Sequence, residues 1–175
     1  DRSLEDVLDY IVSQARDLLG ATATLLRHAD LEREIVTSEA SSNLPAAFDV
    51  AQTTRLYRSS SDKTLMARQP VIVPDLRASN LAALEGGDLP DAVVRAWISA
   101  ELEHFESLLM VPLFVQDEIY GSLRLYFAEQ RRFSDEDVRL AMMLADHAAL
   151  AIENARLRTQ AQEAAVAAER NRLAR

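Results

Sequence analysis

Cysteine is absent from the 175 residues. That excludes a disulfide framework, a thiolate metal site and thiol catalysis, and it fits a reducing compartment. Glycine is scarce, with 4 in the chain. Its one adjacent pair, Gly86-Gly87, has no Lys after it, so no phosphate-cradling loop is present. Positive charge is in short supply: 19 Lys and Arg stand against 28 Asp and Glu, a net −9. This argues against nucleic acid or an anionic membrane as a partner, because phosphate binding needs clustered basic residues. No apolar run approaches the roughly 18–20 residues needed to span a bilayer, and nothing resembles a secretion signal. There is no initiator Met, and the chain reads as a fragment of something larger, cytoplasmic in location.

What is present is apolar content of 49%, enough for one domain with a sizeable core and an appended helix. Its organising stretch is Ser107–Phe127, which reads as two strands joined by a tight turn at Gln116-Asp117-Glu118. In the first strand Leu109, Val111, Leu113 and Val115 point one way, and Leu108, Met110 and Phe114 the other. In the second, Ile119, Gly121, Leu123, Leu125 and Phe127 alternate with Tyr120, Ser122, Arg124 and Tyr126. This is a period-2 strand with one oily and one mixed face. The oily face calls for helices. The mixed face, still covered, calls for a cavity or a polar-tolerant lid.

Around that hairpin, Ser3–Leu19 is an amphipathic helix with Ser3 as N-cap and Gly20 at the left-handed position after its end. Two strand-like runs follow, Ala21–His28 and Arg33–Ser41, with a polar turn between them. Phe48–Arg58 has the composition of a short helix. Ser59–Asp62 forms a break that caps Lys63–Arg68, and Gln69-Pro70 ends that helix. Val71–Val73 is a short strand. Ala78–Glu106 is variable in character and acidic, with Glu85, Asp88, Asp91, Glu101, Glu103 and Glu106 against Arg95. It contains a helix over Asp91–Glu103 that carries Trp97.

From Ser134 one helix runs to the end without Gly or Pro, capped by Ser134 and Asp137 in a capping-box arrangement with Phe133 and Val138 as a hydrophobic staple. At about 1.5 Å per residue it would reach roughly 60 Å, more than a domain of this size can cover. Its tail therefore projects or pairs. Leu150, Leu157, Ala164 and Asn171 recur every seven residues, with Asn154, Ala161 and Ala168 between them, which is a weak heptad seam for a homodimer.

The order of elements, with Val111-Pro112-Leu113, Gly121-Ser122-Leu123, Phe133–Asp137, Ala149–Leu157 and Arg68–Val71 leading to Pro74-Asp75-Leu76, resembles a GAF domain over about residues 3–158. The resemblance implies an α+β fold with a central antiparallel sheet of five to six strands. The first and last helices would lie on one face and a lidded pocket on the other. Residues 1–158 would form the sensor domain, and 159–175 a projecting signalling helix. Ala168–Arg175 resembles the entry to the dimerisation helix of sensor histidine kinases of the nitrate-sensor class. It implies a kinase, and a response regulator beyond it, outside this chain.

Pocket candidates are Arg124, Tyr126, Trp97, Tyr120, Ser122, Met110, Phe105 and Tyr57, a few polar groups among aromatics as in a small-molecule site. Phe48, Leu56 and Ile98 join them as lid residues. The bland alternative is a lid that fills the space, leaving a ligand-free dimerisation spacer. A second alternative is a haem-based redox or gas sensor using His104, since neutral imidazole ligates haem. His104 stands among Glu101, Glu103 and Glu106, so a surface role suits it better, as it does His28 and His147. No metal site converges, and the acids around 85–106 read as a solvated lid. The bilin attachment and methionine sulfoxide reduction known among the relatives both need cysteine. The cyclic-nucleotide pattern is incomplete, because Val138 follows Asp137.

Overall fold

The computed structural model describes residues 3–56, 60–85 and 91–175. Helix α1 (Leu4–Leu19) starts where Ser3 Oγ accepts the Asp6 amide at 3.2 Å. It stops at Gly20, whose φ of 67° is open to glycine at no steric cost. Strands β1 (Ala23–Asp30) and β2 (Ile35–Ser42) form the first hairpin. Asp30 turns the chain there by accepting from the Glu32 and Arg33 amides. A 3₁₀ helix at Ala46–Ala51 leads into β3 (Thr53–Arg55). Then come α2 (Ser60–Met66), β4 (Val71–Val73), α3 (Leu76–Glu85) and α4 (Ala92–His104). The second hairpin is β5 (Ser107–Val115) and β6 (Glu118–Phe127), and α5 runs over Asp135–Leu173.

All pairings are antiparallel, in one sheet of order β3-β2-β1-β6-β5-β4. The β5–β6 turn is a two-residue one, with φ of 51° at Gln116 and 64° at Asp117. This is the geometry whose twist matches the flanking strands. Against the expectation of a helix over Phe48–Arg58, the described part of that stretch, 48–56, divides into the 3₁₀ turn and edge strand β3. The β-branched Thr53 and Thr54 extend, and pairing with Val36 and Thr37 overrides local propensity. Helix α3 was not foreseen, and α2 begins three residues before the expected Lys63.

Two separate cores flank the sheet. On one face, α1 and α5 cover Leu109, Val111, Leu113, Leu123, Leu125 and Phe127. On α5 four of the buried residues are small, Ala141, Ala145, Ala148 and Ala149, which lets the helix approach closely, and Leu144 and Ile152 fill the space between. Arg131 joins the two helices: it donates to the Leu19 carbonyl at 3.0 Å and to Asp137 at 3.3 Å, and lies 4.5 Å over the Phe127 ring. On the other face Phe48, Trp97, Phe105, Leu108, Met110 and Tyr126 form the second core, roofed by α4 and the 3₁₀ segment.

Candidate ligand cavity

Strand β6 carries the site, and its alternation does not run unbroken. Leu113 pairs with Gly121, but Phe114 pairs with Ile119, so Tyr120 is an extra residue in a β-bulge. Across β1 the same offset occurs in β2, where Leu26 pairs with Ala40 and Arg27 with Ser38, leaving Glu39 over. A bulge reverses the facing of every residue beyond it. Ser122 and Arg124 therefore face the second core side as expected, while Tyr120 turns to the α1/α5 side. There its hydroxyl donates to Glu39 at 2.5 Å, and its ring lies 4.1 Å from that of His28. This corrects the placement of Tyr120 in the pocket. In its stead Ile119 and Gly121, assigned from alternation to the oily face, line the cavity.

The cavity has a volume of about 380 Å³, within the range of small-molecule sites. Its floor is β1, β5 and β6, contributing Arg27, Leu108, Met110, Ser122 and Arg124. Its walls are α2, α3 and α4, contributing Leu65, Leu76, Trp97, Ile98 and Glu101. Of the candidates, Arg124, Trp97, Ser122 and Met110 line it, as do the lid residues Leu56 and Ile98. Tyr126 and Phe105 do not; their rings stack at 4.6 Å in the core beneath, against Phe48. Tyr57 lies outside the described residues. His104 is exposed on the last turn of α4 and is not among the lining residues, which leaves the haem alternative without geometric support. Among the described residues no group of three potential ligands gathers that could hold a metal ion.

Two residues of the site were missed. Glu101, read as part of a solvated acidic lid, is 4% exposed. Its carboxylate accepts the Tyr126 hydroxyl at 2.7 Å and stands 3.8 Å from the Arg124 guanidinium. Burial raises its pKa above the ordinary carboxylate value of 4.5, against the pull of Arg124 and Tyr126. Its helical spacing from Trp97, four residues back on the same face, was the available signal. Arg27 sits at a pleat position within the apolar run of β1, where an arginine must find partners or stay out. One of its terminal nitrogens reaches the Val36 carbonyl at 3.1 Å, the Gln52 carbonyl at 3.3 Å and the Thr54 hydroxyl at 3.3 Å. It thereby ties the 3₁₀ segment and β3 down over the sheet. Its guanidinium lies 4.1 Å over the Trp97 ring, with Arg124 5.7 Å from the same ring. Burial, then the neighbouring positive charge of Arg124, lower the Arg27 pKa from the ordinary guanidinium range to about 9. Gly121 is the close-approach point of the floor: a Cβ there would stand 1.8 Å from the Arg27 carbonyl oxygen.

Comparison with known proteins agrees with this architecture. The sequence profile of the GAF domain matches residues 1–153. The chain belongs to the GAF family. No protein of curated function matches it in sequence. Among solved structures, the GAF domain of an Acinetobacter phosphoenolpyruvate-protein phosphotransferase superimposes with a TM-score of 0.68 at 18% identity, covering 90% of this chain and 86% of that one. A domain of a candidate two-component sensor histidine kinase from Sinorhizobium meliloti 1021 gives 0.68 at 15% identity, over 93% and 99%. The phycocyanobilin-bound GAF domain of a cyanobacterial phytochrome gives 0.67 at 18%, over 90% and 88%. At these identities the likeness is one of fold.

Proposed function

We propose that this GAF domain is the cytoplasmic sensory part of a two-component histidine kinase of the nitrate-sensor class, responding to a small molecule bound in the cavity. Residues 1–158 would form the sensor and 159–175 the helix leading to the kinase, with a response regulator as the downstream partner. The observation that carries the reading is the cavity itself: about 380 Å³ between sheet and lid, with Trp97 and two arginines on its wall. A spacer with a filled lid would have no such volume.

The route outward follows from the bulge. Ile119 and Gly121 touch the cavity, and Tyr120 between them faces the other side of the sheet, where the Arg156 guanidinium of α5 lies 5.3 Å from its ring. From Arg156 onward every α5 residue is exposed. A ligand that favours one arrangement of the β6 bulge thus acts on α5 where it leaves the domain, and in a homodimer this biases the packing of the paired tails. The supporting pattern is the exposed seam: Leu150 at 57% and Leu157 at 48%.

The test is a thermal-shift screen of small metabolites on the wild-type chain and on Arg124→Ala. The expected result is concentration-dependent stabilisation of the wild type that the variant loses. Full regulation of the parent kinase through a domain that no compound stabilises would overturn the sensor reading in favour of a ligand-free spacer.

A further inference from the structure

Resting on the reading that the cavity is a ligand site, we propose that its ligand is a monocarboxylic acid with an apolar body, the carboxylate held between the Arg27 and Arg124 guanidiniums. The argument is one of hydrogen-bond and charge accounting. Glu101, buried against these arginines, already accepts from the Tyr126 hydroxyl at 2.7 Å and faces Arg124 at 3.8 Å. The donors are not matched in the same way. The Nε atoms of Arg27 and Arg124 are both buried, and neither has an acceptor among the described residues. Two guanidiniums thus flank one indole with N–H capacity left over, in a region where an unmet donor is costly. The group that fits them is an acceptor, and a planar oxyanion matches the guanidinium fork best.

Charge narrows the class. The lining holds Arg27, Arg55 and Arg124 against Asp62 and Glu101, an excess of one positive charge. A single negative charge balances it. A dianion such as a phosphate monoester would exceed it and lie against the two carboxylates. The depressed basicity of Arg27, caused by burial and by Arg124, points the same way, because an anion between the two relieves their repulsion. Apart from Thr54, Ser61, Asn80 and Ser122, the remainder of the wall is apolar, with Leu65, Met66, Val73, Ile98, Leu108 and Met110 among it. It would take an aromatic or branched aliphatic body, with Trp97 beside it.

The probes are phenylacetate, indole-3-acetate and 4-methylpentanoate, each beside its primary amide, with inorganic phosphate as an anion lacking an apolar body. Saturation-transfer NMR and calorimetry on the whole chain read binding. At least one acid is expected to bind saturably, with its amide about ten-fold or more weaker, the loss for removing one charged hydrogen bond. Phosphate is expected to bind more weakly than that acid. Arg124→Gln should abolish the preference for acid over amide and Arg124→Lys should retain part of it. If the Gln variant fails to fold, the acid-to-amide ratio on wild type decides alone. Amides binding as tightly as acids would overturn the carboxylate assignment while leaving the cavity a ligand site. Phosphate binding more tightly than every acid would overturn the apolar body. Absence of binding by every probe would overturn the proposal, and the broader metabolite screen then decides separately whether the cavity is a sensor site.

Discussion

At the scale of single residues, Glu101 and Gly121 are the two on which the cavity wall and floor depend. Glu101 lies among Tyr126, Arg124 and Trp97, and burial holds its pKa above 4.5. The native state therefore keeps a proton to higher pH than the unfolded chain. The linked stability is fully present below pH 4.5 and is lost as pH rises through the folded-state pKa. Glu101→Gln should remove that slope while leaving an acceptor for the Tyr126 hydroxyl, read from urea midpoints across pH. Removing the donor instead, with Tyr126→Phe, leaves a buried carboxylate short of a partner and should cost about 1–3 kcal/mol at neutral pH. Gly121 has no room for a methyl group, and its nearest obstacle is backbone at 1.8 Å. Gly121→Ala should cost at least the roughly 1–3 kcal/mol of an overpacked core, because a paired strand cannot yield as a side chain can. An alanine variant with wild-type urea stability would refute the close approach of β1 and β6.

At the scale of elements, two polar contacts of α5 add to the packing of its buried face. Its start is a capping box: Ser134 Oγ accepts the Asp137 amide at 3.1 Å, and the Asp137 carboxylate accepts the Ser134 amide at 3.0 Å. These bonds, with Arg131, lower the Asp137 pKa below 3.8. The associated stability is present above pH 3.8 and is lost as pH falls through the lower folded value. Ser134→Ala should cost about 1 kcal/mol by chemical denaturation at neutral pH. The second is the bulge contact. Tyr120→Phe keeps the ring against His28 and Arg156 but removes the 2.5 Å bond to Glu39. If the bulge carries the signal, this variant should bind a cavity ligand normally and couple it less well to kinase output. Unchanged coupling would place the relay elsewhere. The bulge is also where strand periodicity failed as a guide. An inserted residue leaves no mark in a run such as Ile119-Tyr120-Gly121 beyond the glycine, and the glycine alone does not say which neighbour turns over.

At the scale of the whole molecule, the outward faces of α1 and α5 leave Tyr10, Leu18, Met143, Leu150 and Leu157 exposed. Met143, Leu150 and Leu157 are seven residues apart, which would extend the proposed heptad seam back into the domain. Polar substitution of Leu150 and Leu157 together should convert a dimer into a monomer by light scattering, with the near-ultraviolet signal of Trp97 unchanged. A dimer that survives both changes would show that the tail is not the seam. Among the described residues no helix is long and apolar enough to cross a membrane.

The two-faced hairpin, the terminal helices with their caps, and the order of elements that carries the GAF resemblance are all legible in the chain before it folds. These depend on local periodicity and on residues within a turn of one another, so the chain displays them directly. The side that Tyr120 takes, the place of Tyr126 and Phe105 beneath the cavity and not in its wall, and the membership of Arg27 and Glu101 in the site come from the packed chain alone. Those outcomes depend on a bulge in the pairing of distant strands and on partners 25 residues apart in the case of Glu101 and Tyr126. Burial of a charge is legible only when the group that compensates it is in view.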